Sequence, residues 1–119
     1  MLRKTFAIAL LALASFSCES SSVPAENEVK LVAFKPNQCS EPWDAAKYTS
    51  NESLSRADRL KNYLKDSGIG QITNFAVTTD NNAYCAACTC PSSDNIKFTV
   101  SLSDFEKLKT VAPFSTYLK

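Results

Sequence analysis

The order of hydrophobic and polar residues predicts three β-strands in the chain after residue 28. Residues 29–34 (VKLVAF) are rich in apolar side chains and show little alternation, which is typical of a strand buried on both faces. Residues 71–79 (QITNFAVTT) predict a second strand, which ends at Asp80, Asn81 and Asn82. Residues 96–102 (IKFTVSL) alternate strictly, so we expect the third strand to have one solvated face.

A stripe of apolar residues at three- and four-residue spacing predicts a helix over residues 51–67. Thr49 and Glu52 fit a capping box at its start, and Gly68 fits a left-handed stop at its end. The charged residues of this helix lie off the stripe and indicate a solvated face rather than a partner site. The stripe consists of Leu54, Ala57, Leu60 and Leu64.

Two shorter helical segments are also predicted. In residues 39–48, Ser40 is expected to cap a turn that has Pro42 near its start, and Trp43 is expected to anchor the core rather than to serve as a ligand platform. Ser103 and Glu106 fit a second capping box. The helix that follows is expected to end at Pro113 and to turn three apolar residues inward, namely Phe105, Leu108 and Val111.

The predicted order, β-α-β-β-α, indicates an α+β fold with a small three-stranded mixed sheet and helices on one face. Strands one and two are expected to run parallel across a right-handed crossover, and strands two and three to pair antiparallel. The order resembles part of a ferredoxin-like α+β sandwich.

The first residues have the organisation of a secretory signal peptide. Arg3 and Lys4 precede an apolar run of about ten residues, which is too short to span a bilayer. The run lacks the polar positions that a buried core helix needs on its solvent face. The polar string ESSS follows Cys18. The sequence therefore predicts an exported protein.

Cys18 follows the small residue Ser17, and this pair resembles the lipobox of bacterial lipoproteins, in which the cysteine after the cleavage site is acylated. The box is relaxed, with Ser15 and Phe16 before Ser17. Cleavage after Ala14 or after residue 25 would give simple secretion instead. The predicted organisation is a signal peptide at 1–17, lipidated Cys18 with a disordered tether over 18–27, and one α+β domain over 28–119. A nine-residue coil spans roughly 17 Å, which would hold the domain close to the lipid bilayer.

The composition excludes several function classes. The chain has no histidine, which removes the commonest general base and metal ligand. Its 13 basic and 12 acidic residues form no basic patch, so nucleic acid is not an expected partner. It has only two glycines and no phosphate-binding loop. We therefore expect no catalytic residues, no cofactor and no enzymatic activity.

Four cysteines remain after Cys18, and the predicted strand directions bring them to one edge of the sheet. Two disulfides are the first interpretation, because the export signal implies an oxidising compartment and the count is even. Pairing Cys39 with Cys85 would leave a strained bridge between Cys88 and Cys90, whereas the other two pairings stay open. We favour Cys39–Cys88 with Cys85–Cys90, since the wider local loop is easier to close.

Two alternatives remain for the same cysteines. Cys85 and Cys88 have the CxxC spacing of metal ligands, so with Cys39 and Cys90 they would form a four-thiolate site for zinc or copper(I). The segment CAAC also resembles a thioredoxin-type redox motif. However, Pro91 follows soon after it instead of a helix, and Asp94 is the only charge between residues 84 and 95, so nothing local lowers a thiol pKa.

The whole pattern of a leader, then C-x-x-P-W, then C-x-A-C-x-C-P, is similar to small uncharacterised lipoproteins of Bacteroidota-like bacteria. The resemblance implies a location in the cell envelope and the same cysteine cluster. The function expected from the sequence is therefore a membrane-anchored envelope lipoprotein whose small domain is a non-catalytic binding or structural module. Its expected partners are the lipid bilayer, through acylated Cys18, and an envelope protein or ligand.

Overall fold

A computed structural model describes residues 28–119 of the protein. The order of elements there is β1 (Val29–Phe34), α1 (Ala46–Thr49), α2 (Arg56–Asp66), β2 (Thr73–Thr79), β3 (Asp94–Ser101), α3 (Leu102–Leu108) and α4 (Phe114–Tyr117). A 3-10 turn, Pro42–Asp44, precedes α1. The predicted α+β class is confirmed, and the three predicted strands are present. The predictions of a signal peptide, of a tether and of lipidated Cys18 concern residues outside the described part.

The strand order is β1-β3-β2, and both neighbouring pairs are antiparallel. The prediction of a mixed sheet is therefore wrong, whereas the predicted antiparallel pairing of β2 with β3 is confirmed. β1 and β2 do run in the same direction, because both are antiparallel to β3, but β3 lies between them as in a split βαβ unit. The central position suits β3, since it places the Ile96, Phe98 and Val100 side chains in the middle of the core.

The helices cover only one face of the sheet, and β1 is therefore half exposed. Val32 and Phe34 are buried, but Val29 is 62% exposed and Leu31 is 61% exposed. The prediction that β1 is buried on both faces is wrong, because a continuous apolar run does not reveal whether a second layer is present to cover it.

One hydrophobic core lies between the sheet and the helices. Trp43 is fully buried in it, with its ring stacked on Phe114 at a centroid distance of 6.1 Å. Phe34 packs edge-on against both rings, at 6.1 Å from Trp43 and 5.1 Å from Phe114. The prediction that Trp43 is a core anchor is confirmed. The helices add Leu60, Leu64 and Leu108 to this cluster.

The longest helix, α2, ends as predicted but begins later than predicted. Gly68 has φ +83°, and the N–H of Ile69 donates to the Leu64 carbonyl at 3.0 Å, which is the Schellman arrangement. The start is at Arg56, not at residue 51, because Ser55 is the N-cap: its Oγ accepts from the Asp58 N–H at 3.1 Å. The predicted capping box of Thr49 and Glu52 is not formed, since Thr49 is the last residue of α1.

The other two predicted caps are also displaced. The 3-10 turn has Glu41, not Ser40, at its N-cap, and Ser40 instead donates to the Cys88 carbonyl at 3.0 Å. α3 is capped by Ser101, whose Oγ accepts from the Asp104 N–H at 3.2 Å, and Ser103 lies inside the helix. α3 ends at Leu108, well before the predicted end, and the short helix α4 follows it and was not predicted.

Candidate functional site

One disulfide joins the segment after β1 to the connection between β2 and β3, and a second closes a ring within that connection. Cys39 bonds to Cys88 with the Cα atoms 4.5 Å apart, and Cys85 bonds to Cys90 with the Cα atoms 5.6 Å apart. The prediction of a disulfide-stapled domain is confirmed, and the two pairs are those that the loop lengths favoured. The four cysteines converge because β1 and β2 run in the same direction and so end at the same side of the sheet. We call residues 80–93 the cysteine loop.

Backbone hydrogen bonds attach the cysteine loop to residues 36–40, which follow β1. The N–H of Gln38 donates to the Cys90 carbonyl at 2.9 Å, and the N–H of Cys39 donates to the Cys88 carbonyl at 3.2 Å. In the other direction, the N–H of Ser92 donates to the Pro36 carbonyl at 2.9 Å. These bonds continue the ladder between β1 and β3 beyond the sheet. The Cys39–Cys88 bond therefore crosses between two segments that are already paired.

The Gln38 side chain reaches further into the loop. Its Nε2 donates to the Cys85 carbonyl at 2.5 Å and to the Pro91 carbonyl at 3.3 Å. Because Cys85 begins the disulfide ring and Pro91 directly follows Cys90, which ends it, Gln38 and the disulfide hold the same turn closed. Residues 85–91 are thus fixed by a covalent bond, by backbone pairing and by a side chain.

An ion pair holds the base of the loop. Lys35 Nζ donates to Asp80 Oδ2 at 2.6 Å and lies over the Tyr84 ring, 4.9 Å from its centroid. Asp80 Oδ2 also accepts hydrogen bonds from the Tyr84 hydroxyl at 2.9 Å and from Asn95 Nδ2 at 3.2 Å. The Lys35 ammonium holds the pKa of Asp80 well below its ordinary value, against the opposing effect of burial, and the Tyr84 hydroxyl adds to the lowering. Asp80 is therefore ionised and fully used as an acceptor, which indicates a structural role.

The outer surface of the loop is exposed and uncharged. Cys90 is buried, whereas its neighbours face the solvent. No residue between 81 and 93 carries a charge. The loop is therefore a rigid, solvent-facing surface of small neutral side chains, a form suited to contact rather than to acid–base chemistry. The exposed residues are Asn81, Asn82, Ala83, Cys85, Ala86, Ala87, Cys88, Thr89 and Pro91.

A polar network below the loop fixes the segment that carries Trp43. The carboxylate of Glu41 is buried and accepts from the Asn37 N–H at 2.7 Å and from the Tyr117 hydroxyl. Burial, and then this hydrogen bond to Glu41, raise the pKa of Tyr117. Arg56 donates to the Asn37 carbonyl at 2.6 Å. The network joins the residues after β1 to α2 and to α4, and so it sets the position of Cys39.

No local sequence pattern marks Gln38, Lys35, Asp80 or Glu41 as residues that position the cysteines. Lys35 and Asp80 are 45 positions apart, and no local pattern links them. The only available signal was that each lies immediately after a predicted strand whose end was expected at the same side of the sheet.

The cysteines are not arranged as metal ligands or as a thioredoxin-type redox pair. All four sulfur atoms are in disulfides, so no thiolate is present to bind zinc or copper(I) in this oxidised form. Among residues 28–119, His, Cys, Asp and Glu side chains form no group of three or more with the geometry of a metal site. Cys85 and Cys88, the two cysteines of the CAAC motif, bond to other cysteines rather than to each other.

Comparison of the chain with protein-family models, curated proteins and solved structures gives no match. Within residues 28–119, no helix combines the length and the apolar character required to cross a bilayer. Disulfides are typical of domains that fold outside the cytosol, and the two present here indicate an extracytoplasmic location.

Proposed function

We propose that the protein is an exported, lipid-anchored component of the bacterial cell envelope, and that its domain binds a partner through the cysteine loop without catalysis. The observation that carries the proposal is that two disulfides hold an exposed, uncharged loop in one conformation. A loop that is rigid before binding loses little conformational entropy when a partner contacts it. The partner chemistry that suits it is an uncharged protein or peptide surface, since the loop offers backbone groups and small side chains.

The anchoring part of the proposal is supported by the leader and by Cys18. Arg3, Lys4 and the apolar run that follows are the features of an export signal. The cysteine count agrees with this assignment, because four of the five cysteines bond to one another and Cys18 remains for acylation.

Metabolic labelling tests the anchor. Cells that express the full chain are grown with radiolabelled palmitate, and we expect the label in the wild-type protein and in Ser20→Ala. We expect Cys18→Ala to lose both the label and the membrane fraction. Label retained in Cys18→Ala, or wild-type protein found free of membranes, would contradict the anchor.

Site-specific photo-crosslinking tests the loop. A photoreactive phenylalanine analogue placed at Ala86 on the exposed loop is expected to give a discrete adduct in intact cells. The same analogue at Lys65, on the solvent side of α2, is the matched control and is expected to give none. The adduct should weaken when Cys39→Ala and Cys88→Ala are combined, because the loop then loses its attachment to residues 36–40. Equal adducts at both positions, or none at Ala86, would refute loop-mediated binding.

Activity assays test the non-catalytic part. We expect the purified protein, with dithiothreitol supplied as the electron source, not to accelerate the reduction of insulin disulfides. Turnover that disappears in a cysteine variant would overturn the proposal and favour a redox function.

A further inference from the structure

The face of the sheet opposite the helices is open, and we call its strand residues the open face. The register places Leu31 beside Thr99 and Ala33 beside Lys97, and Val29 beside Ser101. β2 continues the face on the other side of β3. Its members are Val29, Leu31, Ala33, Thr73, Ala76, Thr78, Asn95, Lys97, Thr99 and Ser101.

The open face has an apolar edge formed by β1. Val29 and Leu31 are 62% and 61% exposed, the highest values among the large exposed hydrophobic residues in the part of the chain that the structure describes. They are two positions apart on one strand, so their side chains are neighbours on the same face. Ala33 extends the strip along β1. An apolar strip on an edge strand indicates a contact surface rather than scattered exposed residues.

The charges of the domain are distributed unequally between its two sides. Lys97 is the only ionisable side chain on the open face, which has no carboxylate. The helices on the other side carry exposed charges of both signs, such as Asp58, Lys61 and Lys65 on α2. A surface with an apolar strip, one cation and no carboxylate suits the headgroup region of a bilayer that contains anionic lipids.

The position of the proposed anchor brings β1 close to the bilayer. Nine residues separate Cys18 from Glu28, the residue before β1, and they reach at most about 30 Å even when fully extended. A tethered surface has a high effective concentration next to the membrane. A contact that is too weak to hold a free domain on the bilayer is therefore sufficient to hold the tethered one there. β1 is the first strand after the tether, so its apolar strip is the first such surface that the chain reaches after the anchor.

We propose that the open face rests on the lipid bilayer that holds the anchor, with Val29 and Leu31 in the headgroup region and the cysteine loop at the rim of the contact. This inference rests on the proposed lipid anchor. It places the helices on the side away from the membrane. A protein partner or a second copy of the chain on the open face is the competing occupant, and the experiment separates the two.

The test uses tryptophan fluorescence of the full lipidated protein in vesicles of phosphatidylethanolamine with a minority of phosphatidylglycerol. Leu31→Trp places a probe on the open face, and Lys65→Trp places the matched probe on the solvent side of α2. Trp43 is fully buried and gives a constant background. With lipids brominated in the acyl chains, we expect the Leu31→Trp emission to shift to the blue and to be quenched, and the Lys65→Trp emission to remain unchanged. Val29→Trp repeats the first probe if Leu31→Trp does not fold.

The outcomes distinguish this inference from the anchor itself. Protein that floats with the vesicles but shows no quenching at Leu31→Trp or Val29→Trp leaves the anchor in place and overturns the orientation. If quenching is absent but the emission shifts to the blue as the protein concentration rises, a second copy of the chain covers the open face. That outcome also overturns the proposed orientation. Equal quenching at Leu31→Trp and Lys65→Trp shows no preferred orientation and contradicts it as well. Protein that does not float with the vesicles overturns the anchor and this inference together.

Discussion

At the scale of single residues, Asp44 connects the Trp43 segment to α2. Arg56 donates to both oxygen atoms of its carboxylate, at 2.6 and 2.9 Å, and Arg59 adds a third hydrogen bond at 3.3 Å. The Asp44 side chain is only 10% exposed. Burial alone would raise the pKa of Asp44, but the hydrogen bonds from Arg56, from the Glu41 N–H and from Arg59 outweigh it and lower that pKa. The two-point contact between Arg56 and Asp44 is the strong geometry for an ion pair.

This lowered pKa predicts how stability depends on pH. A carboxyl group whose pKa is lower in the folded state stabilises the fold above its unfolded pKa, about 3.9 for aspartate, and this stabilisation is lost as the pH falls through the folded value. We therefore expect Asp44→Asn to lower the free energy of unfolding near neutral pH, and the difference from wild type to shrink below about pH 4. Urea unfolding at a series of pH values measures this difference. A difference that stays constant across the acid range would contradict the assigned role of the Asp44 charge.

At the scale of elements, the two main helices begin at serines other than those that the sequence favoured. The sequence predicted Thr49 as the cap of α2 and Ser103 as the cap of α3. An N-cap residue needs an extended backbone, and only Ser55 and Ser101 have one, with ψ 161° and 158°. Thr49 and Ser103 lie inside helices. Which residue caps a helix depends on where the preceding element ends. The local sequence pattern does not carry that information.

Substitution of the two candidate caps of α2 distinguishes them. We expect Ser55→Ala to lower the free energy of unfolding by about 1 kcal/mol, because the Asp58 N–H loses its acceptor. Thr49→Ala, the matched control, should change it by less than about 0.5 kcal/mol, as for an exposed side chain away from such features. Thermal or urea unfolding gives both values. A larger loss from Thr49→Ala than from Ser55→Ala would place the start of the helix where the sequence alone put it.

Among the elements, some features of the fold follow from the sequence and others do not. The strict alternation of residues 96–102 predicted β3 because Ile96, Phe98 and Val100 all pack into one core, whereas Leu102 is already the first residue of α3. The run VKLVAF predicted the presence of β1 but not its exposure, since Val29 and Leu31 do not differ in type from buried residues. The insertion of β3 between β1 and β2 depends on pairing between distant segments, which has no local signature. The convergence of the cysteines was predictable because it depends only on strand direction.

At the scale of the whole molecule, the two disulfides close loops of very different size. Cys39 and Cys88 are 49 positions apart, whereas Cys85 and Cys90 are 5 apart. The chain-entropy account assigns about 4 kcal/mol to the larger loop and about 2 kcal/mol to the smaller one, because a longer loop restricts the unfolded chain more. The larger loop also includes most of the helical crossover between β1 and β2.

Replacing both cysteines of one disulfide at a time tests this difference in stabilisation. We expect Cys39→Ala with Cys88→Ala to lower the free energy of unfolding by about 4 kcal/mol, and Cys85→Ala with Cys90→Ala by about 2 kcal/mol. Each double variant is the control for the other, since both lose two sulfur atoms. The reverse order would mean that the short ring contributes more to the native state than the long-range bridge does.

The intact mass of the mature protein, recorded with and without reductant, tests the central claim that a doubly disulfide-bonded loop is the working form. Each disulfide removes two hydrogen atoms, so two disulfides give a mass four hydrogen atoms below that of the fully reduced protein. We predict this difference, together with no alkylation of Cys39, Cys85, Cys88 or Cys90 before reduction. Four alkylatable thiols, or a bound zinc or copper ion in the native mass spectrum, would contradict the account.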